Sequence, residues 1–374
     1  MSSVFLSLFL FRSDGFGPIA KYWLGFVVVL TFGMIVGNYM LKTRTTRRLI
    51  RLGLLLFCAE YLVVLIIGSN AAQVPILIGC LHGVASSMFW SGVTVTEFVV
   101  THEHSRDLYM GKRTLWQNTS RTVAQIAAGA VLGLFGLVTS RENSYLVIFA
   151  VLVLAYGVAF HHARSIESFS GVRLRLRDSL HKPPSPGWTL SLVSQYFRGL
   201  TDIALLVLPP VLTYIVIQSD FFVGAFSGAV TLLGGLLGLV AGRLLQRNRQ
   251  YYLVGVIGMS LGLMAFGYFP GWPGLFGYVL VMATGSFIAI PVYSSIYNAM
   301  DRSGLSWQYS SHYLIENEIV LDMGRATGFV IVLAVIPAEH QVAAVRNVLL
   351  LFALAPLALG VLQYKINAKL AASK

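Results

Sequence analysis

The chain has few charges, fewer acids than bases, and almost no cysteine. Only 11% of its 374 residues are charged, against roughly 25% in soluble domains. With 56% hydrophobic residues, that scarcity excludes an ordinary water-facing surface and marks a polytopic membrane protein. Domain counting by length therefore does not apply. Acids number 15 against 27 Lys and Arg, a net charge of +12. A basic balance can suit nucleic acid, but here the bases lie in short loops between long apolar runs. That is the pattern of membrane topology, so no nucleic-acid partner is expected. The two cysteines, Cys58 and Cys80, sit inside apolar runs, where they read as small packed hydrophobes rather than a disulfide framework. The sequence also lacks GxxxxGK[ST], HExxH and any Cys/His cluster, so no ATP-driven pump, metal or cofactor is indicated. No nucleophile–base constellation suggests an enzyme.

What is present is apolar length. After an opening stub, Val4 to Phe11, eleven segments read as spans: 21–41, 49–68, 73–100, 114–139, 144–162, 189–217, 221–245, 251–269, 273–299, 313–337 and 343–364. Inside a bilayer the backbone must satisfy its own hydrogen bonds, so each is expected to be a helix. Their near-continuous apolar character excludes an alternating outer-membrane barrel.

Twenty of the 27 Lys and Arg fall on one side of these spans. They include Lys42, Arg44, Arg47, Arg48 and Arg51, then Arg106, Lys112 and Arg113, then Arg164, Arg173, Arg175, Arg177 and Lys182 in a long central loop, and finally Lys365, Lys369 and Lys374. Only Arg12, Lys21, Arg141 and Arg346 fall on the other side, and Arg121, Arg198 and Arg325 stay inside spans. The rich side is expected to be cytoplasmic, with the C-terminus inside and a multi-pass chain in the cytoplasmic (inner) membrane.

The chain also repeats itself. GMIVGNYMLKTR from Gly33 resembles GLVAGRLLQRNR from Gly238, and YMGKRTLWQNTSRT from Tyr109 aligns with YLIENEIVLDMGRAT from Tyr313, pairing Arg121 with Arg325. AYGV at Ala155 matches ALGV at Ala358, and VFLSLFLFRSD from Val4 aligns with PVLTYIVIQSD from Pro210. Four matches in order, at offsets of 203–206, describe a parallel repeat of six helices. The expected organisation is an N-terminal half at 1–162, a basic linker at 163–188 ending in Pro183, Pro184 and Pro186, and a C-terminal half at 189–374. The fold class is thus all-α, with two parallel six-helix repeats, twelve helices and an incomplete first one.

Along nearly its whole length the sequence resembles the major facilitator superfamily, and most of all permease-like bacterial members whose substrates are uncharacterised. MFWSGVTVTEFVVTHEHSRDLYMG, closing the fourth helix, and YLIENEIVLDMGR, opening the eleventh, carry the local likeness. The superfamily's signature loop after helix two reads GNYMLKTRTTRR here, with Gly37 and the bases present but Leu41 where the usual Asp stands. The gate that loop normally forms is not expected in its usual form.

A charge inside a bilayer costs about 2.5–3.5 kcal/mol on insertion scales and usually faces a cavity or a partner. Span seven carries Gln195, Arg198 and Asp202. Helix rise puts Arg198 about 14 Å and Asp202 about 20 Å in from Thr189, and i, i+4 spacing puts both on one face. They read as a substrate or proton site, with a self-neutralising pair as the structural alternative. Gly199, Pro209 and Pro210 suggest a bend in that span that could serve gating. Asn118, Arg121 and Gln125 on span five match Glu318, Asp322 and Arg325 on span eleven, and these six read as a cytoplasmic gate. The resemblance implies that helices one, four, seven and ten line the pathway. Trp90, Thr94 and Glu97 on span four and Tyr293 and Tyr297 on span ten then join the binding candidates. Glu60 in span three reads as neutral or locally paired.

Together these readings imply a secondary transporter moving a small-molecule substrate across the bilayer by alternating access, with protons coupling through Asp202 or Glu97. A sensor or assembly partner on the same scaffold, without transport, is the alternative. The stub aligns with the outer end of span seven, so it reads as the outer half of helix one. The matching start then falls about 17 residues before Met1 by the repeat logic, and the counterparts of Arg198 and Asp202 fall in that stretch.

Overall fold

A computed structural model describes residues 2–136, 141–173, 185, 187–206, 208–335 and 341–372. Among them are fourteen α-helices and no strand. They are α1 (Ser2–Asp14), α2 (Phe16–Met40), α3 (Thr46–Ile67), α4 (Pro75–Val100), α5 (Arg106–Phe135), α6 (Arg141–His162), α7 (Trp188–Leu206), α8 (Leu208–Ile217), α9 (Asp220–Arg247), α10 (Tyr252–Tyr268), α11 (Trp272–Asp301), α12 (Trp307–Val335), α13 (Gln341–Phe352) and α14 (Leu354–Ala372). Every expected span is helical over most of its described residues.

Local chemistry sets the boundaries. The Thr45 hydroxyl caps α3 by accepting from the Arg48 amide, and Pro75 begins α4 where a missing N–H costs nothing. Span seven is helical on both sides of position 207, as α7 and α8, and span twelve is divided between α13 and α14. The break in span twelve, at Ala353, lies just before Pro356, whose ring removes an i to i−4 bond.

Several boundaries differ from the sequence reading: α2 begins at Phe16 rather than 21, α14 ends at Ala372 rather than 364, and two starts differ most. Span five begins at Arg106 rather than 114, and span eleven at Trp307 rather than 313. Arg106, Lys112 and Arg113, read as loop residues, are therefore helical. The apolar run starts late because the first two turns of α5 put charge toward neighbouring helices, with Arg106 fully buried. Nine helical stretches among the described residues are long and apolar enough to cross a membrane, and neither α5 nor α12 is one of them. These two helices are repeat partners, and both carry their charge inward.

Two helix pairs do most to join residues 1–162 to 189–374. Helix α2 packs on α12, and α5 packs on α9 along its length. Glycine makes the second approach possible, as small residues do between membrane helices. A Cβ on Gly111 would lie 3.0 Å from Gly242 Cα, and one on Gly129 would lie 3.0 Å from Gly224 Cα. The two pairs correspond under the repeat, since α2 matches α9 and α5 matches α12. Helix α1 packs on α2 and α8.

Of the central linker, residues 166–173 lack helix. They run under the basic end of the bundle, where the Thr46 amide donates to Phe169 O at 2.8 Å and the Arg173 amide to Gln308 O at 2.8 Å. Arg175, Arg177, Lys182, Pro183, Pro184, Pro186 and Lys374 lie outside the described residues.

Candidate functional site

Arg325 on α12 holds two acids. Its Nη2 and Nε donate to Asp202 Oδ2 on α7 at 2.7 and 3.1 Å, and its Nη1 donates to Asp322 Oδ1 at 2.9 Å. The other Asp322 oxygen accepts from Thr31 on α2 at 2.8 Å. Three helices from both ends of the chain thus meet on one guanidinium. Asp202, Asp322 and Arg121 lie about 21–22 Å from the basic ends of their helices by helix rise, near the middle of a bilayer core about 30 Å thick.

Asp202 is therefore paired across helices, and the self-neutralising contact with Arg198 one turn away, the structural alternative, is not made. Arg198 turns instead to Tyr293 on α11. It donates to the Tyr293 hydroxyl, its guanidinium lies 3.4 Å from the ring centroid, and Nη1 donates to Gln195 Oε1 at 3.2 Å. The aromatic surface accommodates the flat cation, which leaves Asp202 to the fork of Arg325.

Glycine again sets the geometry. A Cβ on Gly199 would lie 2.9 Å from Gly324 Cα, so α7 and α12 touch backbone to backbone beside the Asp202–Arg325 pair. Gly199→Ala is expected to push the helices apart and lower stability by about 1–3 kcal/mol, seen as a lower Tm of the purified protein.

Glu97 on α4 pairs with Arg113 Nε on α5 at 2.6 Å. Arg113 lies 5.6 Å from the Trp90 ring and 5.9 Å from the Tyr293 ring. Trp90 and Tyr293 are half-buried, while Thr94 satisfies its hydroxyl on Trp90 O of its own helix at 2.8 Å. Asn118 and Gln125 are buried on α5. Arg121 is exposed, yet it lies within electrostatic reach of Arg113, Tyr293, Tyr278 and Asp202, so it faces the interior of the bundle. Glu318 is partly exposed and lies within reach of Asp322, Arg325, Arg198 and Asp202.

Tyr297 belongs to a layer nearer the basic end. It is buried against Phe98, with ring centroids 5.6 Å apart, and beside Arg106 at 5.4 Å. Arg106 has no exposed surface. It donates to Thr101 O and Oγ1 at 3.0 and 3.1 Å, to Asn298, and pairs with Asp301 at 2.9 Å. Arg302 pairs with Glu103 at 2.7 Å. The α4–α5 corner is thereby tied to the end of α11. Burial works against the Glu103 carboxylate, but the hydrogen bond and charge of Arg302 outweigh it and hold Glu103 below the ordinary glutamate range. At the opposite end Arg12 on α1 pairs with Asp220 on α9 at 2.7 Å and lies 4.5 Å from the Tyr214 ring.

No protein-family model matches the sequence. An uncharacterised protein of Bacillus subtilis (strain 168), YqgE, is 22% identical over 344 residues, covering 90% of this chain and 79% of that protein. The proton:xylose symporter XylE superposes with a TM-score of 0.70 at 11% identity, over 97% of this chain and 91% of that chain. The E. coli fucose:proton symporter FucP superposes with a TM-score of 0.62 at 12% identity, over 98% and 92%.

The chain has the major facilitator fold. Within it, the two residue sets that the sequence separates, one for binding and one for a gate, share one network, because the Arg325 bridge joins Asp202 of the first to Asp322 of the second. Sequence reading missed Arg113 and Arg106, although the stripe of Asn118, Arg121 and Gln125 runs back to both at helical spacing. It also missed Thr31, Asn298, Asp301 and the Arg12–Asp220 tie. Glu60 is locally paired, with His82 Nδ1 2.9 Å away on α4, a partner the sequence signals only by a lone histidine on an apolar helix.

Proposed function

We propose that the chain is a secondary transporter that carries a small solute across the cytoplasmic membrane by alternating access. The observation that carries this reading is the Asp202–Arg325–Asp322–Thr31 network, a set of desolvated charges near mid-membrane where α2, α7 and α12 meet. Charges so placed are costly and mark pathways. The basic end is read as cytoplasmic, with the C-terminus inside, and the rocking units as residues 1–162 and 189–374 joined by 163–188. Arg106–Asp301 and Glu103–Arg302 form the inner gate, and Arg12–Asp220 contributes to the outer one. Pro209 and Pro210 in α8 and Gly199 in α7 let span seven bend as the gates exchange. Protonating Asp202 removes one arm of the Arg325 bridge and protonating Glu97 releases Arg113, so either carboxylate gives a proton gradient a place to act.

Uptake into proteoliposomes tests this. Wild type is expected to accumulate at least one solute down an imposed gradient, and Asp202→Asn to lose that uptake while staying folded. A wild-type protein that moves and binds none of a broad solute panel would favour the sensor or assembly role.

A further inference from the structure

Four arginines surround the centre of the bundle, and two of them lack an anion. Arg113 has Glu97, and Arg325 has Asp202 and Asp322. Among the described residues no carboxylate lies within ion-pair distance of Arg121 or Arg198. Arg198 is only 8% exposed and bonds only to neutral groups, the Gln195 carbonyl and the Tyr293 hydroxyl. Arg121 is exposed toward the interior, about 22 Å along α5 from Arg106 by helix rise, and it shares the Tyr293 neighbourhood with Arg198. A desolvated cation without a counter-charge is strongly disfavoured, and Arg198, buried against Tyr293 with Arg121 within electrostatic reach of the same residue, makes a site of positive potential inside the protein.

We infer that Arg198, with Arg121 near the same Tyr293, binds the solute through an oxyanion, so that the substrate is a small carboxylate- or phosphate-bearing anion. This deepens the transporter reading and rests on it for the word substrate. A guanidinium presents paired N–H donors matched to two oxygens of such a group. Gln195 Nε2 is buried without a hydrogen-bond partner and supplies a further donor next to Arg198. Glu318 is the internal competitor. It lies within electrostatic reach of Arg198 without bonding to it, and an incoming anion replaces its influence.

The test measures binding to the purified full chain by thermal shift and titration, using lactate, succinate, inorganic phosphate and glycerol 3-phosphate, with glucose and choline as neutral and cationic probes. At least one oxyanion is expected to bind, and glucose and choline are not. Arg198→Gln and Arg121→Gln should each weaken that binding roughly 10- to 100-fold, the scale of a lost charge-assisted bond. Arg198→Lys should retain part of it, Glu318→Gln should tighten it, and the exposed Arg164→Gln should leave it unchanged. Binding of glucose or choline alone, no binding by any oxyanion, or equal oxyanion binding in wild type and both glutamine variants overturns the inference. Repeating the titration in phosphatidylcholine with and without phosphatidylglycerol separates a soluble anion from a lipid headgroup, and an effect of phosphatidylglycerol alone also overturns it. Uptake of the same probes is read separately. Oxyanion binding without uptake keeps the site and removes the transporter reading, whereas uptake of glucose or choline alone keeps transport and removes the anion.

Discussion

Arg325→Ala is expected to abolish transport, by 100-fold or more on the scale of about 3 kcal/mol, and to destabilise the protein more than any other single change in the network. The guanidinium satisfies Asp202 and Asp322 together. Removing it leaves two carboxylates without a counter-charge, one of them with a side chain only 1% exposed. Breaking one side of a buried pair costs about 3–5 kcal/mol. Asp202 keeps 19% exposure, so the lower end of that range applies. Most of the cost comes from stranded acids, not from a lost contact. Adding Asp202→Asn and Asp322→Asn to Arg325→Ala should therefore recover much of the Tm without recovering transport. A triple variant as unstable as Arg325→Ala would show that the bridge holds the helices by packing alone.

Arg106→Ala is expected to have the largest effect on which face is open. Arg106 is fully buried and spends its donors on Thr101, Asn298 and Asp301. Truncation leaves the Asn298 and Thr101 acceptors unsatisfied in the interior, at about 1–3 kcal/mol each. That is enough to turn a tied inner end into a mostly untied one, since each 1.4 kcal/mol is tenfold in population. Hydrogen exchange should quicken at residues 101–106 and 301–306 while the helix centres stay protected. Of the ties between this corner and the end of α11, Glu103–Arg302 then remains. Because the folded Glu103 value is depressed, its stabilisation is fully present above the ordinary glutamate range and is lost as pH falls through the lowered value. The variant should thus loosen further in acid, where wild type, still held by Arg106, changes little. Exchange at these corners that is identical in wild type and variant would mean that Arg106 ties nothing.

The fold is legible because a bilayer leaves so few options. Length, apolarity and loop charge mark each span, and the ends err where helix continues through polar residues beyond the apolar run. Hence α5 begins at Arg106 and α12 at Trp307, earlier than their apolar runs. The arginines that matter were visible as intrusions in apolar helices, and Arg121, Arg198, Asp202, Asp322 and Arg325 were all singled out. Their partners were not. Helical spacing puts Arg198 beside Asp202, but the choice between that neighbour and Arg325 or Tyr293 on other helices depends on interhelix distance. That distance is set by Gly199 and Gly324, whose effect no periodicity displays. Thr31 and Asn298 escaped for a related reason: each is an ordinary polar residue until a charged partner arrives from the other half of the chain.

Spin-label distances at the two ends, measured in one preparation, test the central claim most directly. Labels at Arg44 and Arg247 report the basic end, and labels at Gln73 and Trp272 the opposite end; all four positions are exposed. Alternating access predicts that introducing Arg106→Ala lengthens the first distance and shortens the second. Distances that stay fixed at both ends, or that lengthen together, would contradict it.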